Sequence, residues 1–449
     1  MGVRGMAIQS VPALGTELVG AGLTRENLKI GIAVMIGALV EWYDFLIYAT
    51  ASALVFPQVF FPNVSPTLGS VVAFSSFAVG YLFRPLGGIV MGHFGDRIGR
   101  KAVLVVTMLA MGLATTFIGM LPGYATLGVW APILLISLRA VQGIALGGEL
   151  GGAILMAVEH APARRRGLFS SFPQLGSTIG LVVANLVFLG TNLSMSAEDF
   201  RSFGWRVPFL FSAILVIVGI YVRLRISESP IFIAAQLQGR RVAIPIATVL
   251  TRSWSPIIRI VMANFFPGSI GFVTIVFMLR YGTQTLHLSQ ATMLSFIIIA
   301  NVLEIPTSLC AGSLSDRFGR KKIILSGIAV GVVMGALFFP LVNTAIPLVV
   351  FLCILVVRLA IATMFGATGA WMAELFDTGV RYTGVSVSAG IAVLIGSQTP
   401  AIAALLVGAS GGGTTWLSCY LVTASTVAFL AVLTMSETRH VDLTQQILK

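Results

Sequence analysis

Charged residues are scarce in this chain of 449 residues, because Asp, Glu, Lys and Arg together make up only 10% of it while hydrophobic residues make up 57%. A soluble globular protein usually carries about 25% charged residues. The scarcity excludes a water-soluble globular fold and indicates that lipid is the main solvent of the chain.

Cysteine and histidine are also too few and too scattered for a metal site or a disulfide framework. The three cysteines fall in three separate apolar segments, the four histidines are dispersed, and no CxxC motif occurs. We therefore predict neither disulfides nor bound metal. A GxxxxGK[ST] motif is absent as well, so no nucleotide is expected to drive the protein. An enzyme would need a nucleophile–base or metal constellation, and the sequence offers none.

Long apolar runs are what the chain has instead. Twelve stretches of about 18 residues or more are long enough to cross a bilayer. Each should be a helix, because lipid offers the backbone no hydrogen-bond partners. The predicted fold is therefore an all-α integral membrane protein with twelve transmembrane helices. The predicted spans are 29–56, 68–92, 103–121, 130–157, 168–191, 206–225, 257–280, 290–312, 323–340, 346–372, 384–408 and 415–435.

The positive residues occupy alternate loops. The loops at 57–67, 122–129, 341–345 and 409–414 carry no charge. Only the loop after the fifth span, with Arg201 and Arg206 beside two acids, breaks the pattern. The positive-inside rule then places both termini in the cytoplasm and explains the net charge of +12 without nucleic acid. The basic residues of the other loops and the N-terminal tail include Arg4, Arg25, Lys29, Arg97, Arg100, Lys101, Arg164, Arg165, Arg166, Arg240, Arg241, Arg252, Arg317, Arg320, Lys321, Lys322 and Arg381.

The chain contains an internal repeat. GHFGDRIGRKAVL at 92–104 and GSLSDRFGRKKII at 312–324 share the pattern G-x-x-x-D-R-x-G-R-K. SESP at 227–230 and SETR at 436–439 close the sixth and twelfth spans. Such repeats are typical of transporters whose two halves rock about a midplane site. The predicted units are a tail at 1–28, a six-helix bundle at 29–225, a linker at 226–256, a second bundle at 257–436 and a tail at 437–449.

These motifs resemble those of the major facilitator superfamily. Within it, EWYDF at 41–45, FRPLGG at 83–88, the EHAP…RRRG stretch at 159–167 and AELFDTGVRYTG at 373–384 resemble the metabolite:H+ symporter family. That resemblance implies a carrier of compounds such as α-ketoglutarate, shikimate, citrate, proline or betaine.

The resemblance also implies a cytoplasmic gate at the two loop motifs, with Glu159, Glu374 and Arg381 as further latches. The alternative is that these basic residues only set the topology. Exposed salt bridges are weak singly, which suits contacts that break in each cycle. The predicted gate residues of the two motifs are Gly92, Asp96, Arg97, Gly99, Arg100, Gly312, Asp316, Arg317, Gly319 and Arg320.

Ionisable residues inside the spans mark the predicted transport site, because such groups normally face a cavity or each other. Glu41, Asp44 and Glu149 are the proton-coupling candidates. The spans contain four such acids, the fourth being Glu304, and three arginines. If every acid is ionised, one negative charge is uncompensated, so one carboxylate should bind a proton readily. The alternative is a permanent ion-pair lattice, with Arg358 paired to Glu304 and the aromatic residues serving only packing. The substrate-binding candidates are Arg84, Arg139, Arg358, Glu304, Tyr43, Trp42, Gln142 and Asn264.

The predicted function is proton-coupled symport of a small polar metabolite across the cytoplasmic membrane. A carboxylate or zwitterion is favoured, because carboxylates pair well with arginines. The proton is the only coupling ion expected, and a monomer in the bilayer is the expected state. The alternatives are a proton-coupled efflux antiporter, since fold does not decide function, and a multi-span sensor.

Overall fold

The computed structural model describes residues 24–63, 76, 78–237 and 245–443, and the regular structure in these ranges is helical. The main helices are labelled α1 to α12, with α7 and α11 each formed by two helical segments. They are α1 (Arg25–Leu54), α2 (Arg84–Ile98), α3 (Arg100–Met120), α4 (Trp130–Glu159), α5 (Phe172–Leu193), α6 (Arg206–Leu224), α7 (Trp254–Ala263 and Met278–Gln284), α8 (Gln290–Phe318), α9 (Arg320–Val342), α10 (Pro347–Glu374), α11 (Arg381–Gly396 and Thr399–Ala409) and α12 (Thr415–Leu433).

The all-α membrane fold expected from the sequence is confirmed. Within the described ranges, ten helices are long and apolar enough to cross a membrane, and the bent α7 brings the number to eleven. The second predicted span, 68–92, lies partly outside the described residues, and α2 begins within its described portion, which comprises residues 76 and 78–92. Arg4, Arg240 and Arg241, which support the topology argument, also lie outside the described residues.

Two tight turns show the repeat most directly. Gly99 between α2 and α3 has a φ of 117°, and Gly319 between α8 and α9 has a φ of 106°. Residues with a Cβ rarely adopt this conformation, so the glycines of the two loop motifs are required by the turn itself. We call the end of the bundle at which these turns lie the basic end.

The spans 257–280 and 384–408, predicted as continuous helices, are each interrupted in the structure. The two helical segments of α7 are separated by π-helical turns at Pro267–Gly271 and Val273–Phe277, and the span bends by 43°. Pro267 has no N–H to donate within the helix, which favours a break at this point. The break in α11 lies beside it, because the hydroxyl of Thr399 donates to the carbonyl of Gly268 at 3.0 Å.

Small residues let the helices of each half approach closely. A Cβ on Gly147 of α4 would fall on the carbonyl of Arg84, and one on Gly87 of α2 would fall on the backbone of Ile144. The backbones of α2 and α4 are therefore in contact, as small-residue faces allow in membranes. This crossing fixes the position of Arg84 at the start of α2.

Candidate functional site

Asp44 lies in the middle of α1 with none of its surface exposed. It accepts hydrogen bonds from the hydroxyls of Thr115 on α3, at 2.9 Å, and of Ser212 on α6. The amide of Gln142 donates to the Thr115 hydroxyl at 2.7 Å, and Arg139 donates to the Gln142 carbonyl oxygen at 3.0 Å. Two neutral side chains thus connect the carboxylate of Asp44 to the guanidinium of Arg139.

Glu41 lies one turn before Asp44 and faces Arg84. Its Oε1 is 3.8 Å from Nη2 of Arg84, and both residues are buried. This distance is too long for a hydrogen bond, so the pair is held by charge alone. Among the described residues, Oε2 of Glu41 and Nε of Arg84 have no hydrogen-bond partner. The pair therefore keeps unused donor and acceptor capacity in a buried place.

Three aromatic rings surround the two arginines. The Cζ atom of Arg84 lies 5.3 Å from the ring centre of Phe45 and 5.4 Å from that of Tyr81. The Cζ atom of Arg139 lies 4.8 Å from the Phe45 ring centre and 4.2 Å from that of Tyr48. Cation–π contacts of this kind stabilise a guanidinium away from water. The Phe45 ring contacts both arginines, which therefore lie on the same side of α1.

Glu304 and Arg358 form a buried ion pair between α8 and α10. The second half of the chain thus presents a charge pair of its own, in the arrangement that the sequence left open as an alternative to substrate contact. Arg358 is 9% exposed and Arg139 is fully buried. Arg358 is accordingly the more accessible of these two arginines.

The first loop motif joins the two halves at the basic end. The carboxylate of Asp96 accepts hydrogen bonds from the backbone N–H groups of Tyr382 and Thr383, at 3.1 and 2.9 Å, and from the Thr383 hydroxyl at 2.9 Å. It therefore sits at the N-terminus of α11, where a helix favours negative charge. The Nη2 atom of Arg100 lies 3.6 Å from Oδ1 of Asp96. We call these contacts the first latch.

The second loop motif makes the reciprocal contact, which we call the second latch. Asp316 accepts hydrogen bonds from the backbone N–H groups of Gly167 and Leu168, at 2.9 and 3.0 Å, in the helical turn that precedes α5. Arg320 lies 2.6 Å from Asp316 and 3.3 Å from Glu374. Each half therefore places an aspartate on a helix N-terminus of the other half.

An ion pair between the halves completes this closure. Arg381 on α11 donates to Glu159 on α4 at 2.9 Å, and both side chains are fully buried. Glu159 also lies 3.4 Å from Arg100. Burial makes the pair far more consequential than a surface salt bridge, because breaking it leaves uncompensated charge. The basic end is thus closed in this structure.

A model of the family described as "Major Facilitator Superfamily" matches residues 34–397 and, in a second match, 283–446. The chain belongs to the major facilitator superfamily. The two matches together extend over both halves of the repeat.

Curated relatives in this superfamily match almost the full chain. The inner membrane metabolite transport protein YhjE of Escherichia coli is 41% identical over 429 residues, covering 92% of this chain and 95% of the relative. The Escherichia coli shikimate transporter is 37% identical, covering 90% and 93%. The Escherichia coli proline/betaine transporter is 30% identical, covering 91% and 83%. These relatives are transporters, which confirms the expectation that the chain is a membrane transporter and not an enzyme.

A solved structure with low sequence identity to this chain supports the fold. The proton:xylose symporter XylE, bound to 6-bromo-6-deoxy-D-glucose, overlaps with a TM-score of 0.76 at 18% identity, covering 92% of this chain and 96% of that one. The inward open conformation of the same transporter overlaps with a TM-score of 0.63. At this identity the overlap establishes the superfamily fold.

Glu149, a predicted proton-coupling residue, has a partner that the sequence reasoning missed. Both of its oxygens accept from Arg223 of α6, and the Thr107 hydroxyl donates to it at 2.8 Å. Arg223 lies near the end of the predicted span 206–225 and was not among the predicted site residues. Its signal was its position inside that span, and Gly37 on α1 leaves the space that its side chain fills. Glu149 is thus part of an ion pair and does not belong to the series of hydrogen bonds that connects Asp44 to Arg139.

Three other predicted site residues make contacts within the bundle. The hydroxyl of Tyr43 donates to the carbonyl of Pro208 at 2.8 Å, so this fully buried residue joins α1 to α6. Trp42 packs edge-on against Phe45, with ring centres 6.0 Å apart. The amide of Asn264 donates to Ile260 of its own helix at 2.8 Å, beside the break in α7.

Within the two loop motifs, Arg97 and Arg317 differ from the other predicted gate residues. Both are exposed; Arg97 lies 3.4 Å from His93, and Arg317 lies over the ring of Phe318. Gly92 and Gly312 do belong to the closure, because a Cβ on either would lie 2.6 Å from backbone atoms of Thr383 and Gly167 respectively.

Two glutamates outside the predicted gate complete the symmetry. Glu228 accepts from the backbone N–H groups of Arg100 and Lys101 at 3.1 Å each, at the start of α3. Glu437 accepts from those of Arg320 and Lys321 at 2.9 and 3.1 Å, at the start of α9. The SESP and SETR repeats therefore mark the residues that cap the helices following the two tight turns.

Proposed function

We propose that the chain is a symporter that carries a small carboxylate or zwitterion together with protons. The observation that carries the proposal is the Glu41–Arg84 pair, which is buried, held by charge without a hydrogen bond, and adjacent to Asp44. Intramembrane ionisable groups normally mark substrate or proton pathways.

In the proposed cycle, a proton neutralises Glu41 or Asp44. Neutral Glu41 no longer attracts Arg84, so the guanidinium becomes available to an incoming carboxylate. Protonation of Asp44 has a related effect at a distance, because Thr115 and Gln142 connect it to Arg139. Proton and substrate therefore favour each other's binding, which is the coupling that symport requires.

The substrate class follows from charge and from the relatives. Arg84, Arg139 and Arg358 all suit a carboxylate, which a guanidinium can bind through two hydrogen bonds. Shikimate, proline and betaine, which the relatives' names give as their substrates, each carry a carboxylate. We propose a substrate with this group, and a contact to it for Arg358 once the pair with Glu304 opens.

The proposed orientation places the basic end and both termini in the cytoplasm. The loops at this end carry most of the basic residues, and the positive-inside rule favours the cytoplasmic side for them. One relative is described as an inner membrane protein, which supports the bacterial cytoplasmic membrane as the location of this chain. The latches described above would then form a cytoplasmic gate.

The test uses purified protein in liposomes that contain a pH-sensitive dye. Shikimate, proline, glycine betaine and a panel of other carboxylates, zwitterions and amines are added one at a time. We expect one carboxylate-bearing compound to acidify the lumen, and Asp44→Asn to abolish the acidification. Asp199→Asn, which removes an exposed carboxylate, is the matched control and should behave like the unmodified protein. Equilibration of labelled substrate without proton movement would contradict symport and indicate a facilitator.

A further inference from the structure

The chain beyond α12 turns back along the basic end and contacts both halves of the transporter. Glu437 caps α9, and the hydroxyl of Thr438 donates to Glu374 on α10 at 2.7 Å. Three residues later the chain reaches the first half, where Arg166 donates to the carbonyl of Val441 at 2.8 Å. Residues 441–443, which we call the strap, therefore lie across the boundary between the halves.

The strap ends in a fully buried contact. Leu443 is 0% exposed, and its carbonyl accepts hydrogen bonds from Arg381 at 3.1 Å and from the Thr378 hydroxyl at 2.8 Å. Arg381 is the same residue that pairs with Glu159 across the boundary. The strap thus supplies an acceptor to the guanidinium that joins the halves.

The corresponding segment of the first half behaves differently. After Glu228 and Ser229, the chain forms the helix Pro230–Leu237, and the Phe232 ring lies 4.6 Å from Cζ of Arg100 in the same half. The repeat therefore predicts a local role for the segment after α12 as well. The contact between Val441 and Arg166 departs from that symmetry, because it joins the segment to the other half. It lies at the boundary across which the two halves move, so it calls for a functional explanation.

We propose that the strap is a positioning element for the transport cycle, which stabilises the state closed at the basic end and is released whenever that end opens. Opening separates Arg166 from Arg381, and one three-residue segment cannot stay bonded to both. Leu443 and Arg166 are then positioning residues that set the balance between the two states, without contact to the substrate. This inference uses the superfamily's rocking halves and does not depend on the proposed substrate or on proton coupling.

The experiment measures the distance between spin labels on the two halves by pulsed electron paramagnetic resonance. The native cysteines are replaced, and labels are attached through Arg164→Cys and Lys322→Cys, two exposed positions at the basic end. We expect a single short distance in the full chain. Deletion of residues 441–449 should add a longer distance and shift the closed-to-open ratio at least about tenfold, since several buried hydrogen bonds are lost together.

Deletion of residues 447–449 is the matched control, because it leaves the strap in place, and it should keep the short distance. If the longer deletion fails to fold, full-length Leu443→Lys replaces it, since a buried cation beside the guanidinium of Arg381 should expel the strap. Leu443→Met should keep the short distance, because methionine has nearly the volume and polarity of leucine. An unchanged distance in the 441–449 deletion, or in Leu443→Lys where that deletion does not fold, would overturn the proposal. A shift that the 447–449 deletion reproduces would overturn it as well.

Discussion

Thr115 is the residue through which Asp44 reaches the rest of the charged centre. Its hydroxyl lies 2.9 Å from Asp44 and 3.0 Å from the carbonyl of Met111 in its own helix, and it accepts from Gln142 at 2.7 Å. A hydroxyl has one proton, so it can donate to only one of the two acceptors at a time. Thr115 can therefore turn from Asp44 to Met111 when the carboxylate becomes neutral.

We predict that Thr115→Val lowers the initial rate of substrate uptake driven by a pH gradient at least about tenfold, because it removes one of the two hydroxyl donors to Asp44 and leaves the buried amide N–H of Gln142 without its acceptor. Thr115→Ser keeps the hydroxyl and should retain most of the rate. The measurement is uptake of labelled substrate into liposomes. A valine variant as fast as the unmodified protein would show that the hydroxyl is not needed.

We also predict that Glu149 and Arg223 act on stability as one unit. Glu149→Gln or Arg223→Gln alone should lower the free energy of unfolding by about 3–5 kcal/mol, since each leaves an uncompensated buried charge. The double variant should recover much of this loss, as measured by the thermal unfolding midpoint in detergent.

A different outcome would return Glu149 to the proton pathway. If Glu149→Gln stays as stable as the unmodified protein but loses proton movement in the dye assay, its carboxylate couples protons as the sequence suggested. The sequence could reveal Glu149, because a charge in the middle of an apolar run is conspicuous. It could not assign Arg223 to Glu149, because a long arginine side chain can reach acids on several neighbouring helices.

At the scale of the helix, close backbone contact determines where the arginines lie. Gly147 on α4 faces the carbonyl of Arg84, so the crossing of α2 and α4 also positions the charged centre. The glycines at 143, 147 and 151 recur every four residues, a spacing that favours a small-residue face for close helix packing. The breaks in α7 and α11 were not predicted, because hydropathy reports how apolar a run is and carries little information on its internal hydrogen bonds.

We predict that Gly147→Ala reduces the yield of monodisperse protein and lowers its thermal unfolding midpoint, because the added Cβ would meet backbone atoms that cannot move aside. Gly190→Ala on α5 is the matched control, since a Cβ there has open space within 4 Å. It should leave both quantities unchanged. Similar losses in the two variants would show that the contact between α2 and α4 is not their cause.

At the scale of the whole molecule, the two latches act in parallel. Asp96 sits on the N-terminus of α11, and Asp316 sits on the turn before α5. The loop motifs allowed both to be predicted as gate residues, but not their partners. Those partners are backbone N–H groups, which every residue except proline has and which therefore leave no mark in a sequence.

We predict that Asp96→Ala and Asp316→Ala each shift the closed-to-open ratio at the basic end, and that the double variant shifts it by roughly the product of the two, since distant sites without shared partners are usually additive. The spin-label distance between positions 164 and 322 is the measurement, with Asp199→Ala as control. If either single variant opened the end as fully as the double, one latch alone would control the closure.

The contacts of residues 441–443 also have a consequence for biosynthesis. These residues emerge from the ribosome only after all twelve helices have been made. The first half can insert and fold while the second is still being translated, as domains generally do. The carbonyls of Val441 and Leu443, which accept from Arg166 and Arg381 in the finished protein, do not yet exist at that stage. The nascent transporter therefore passes through a period in which its membrane helices are complete but the closure at the basic end is not.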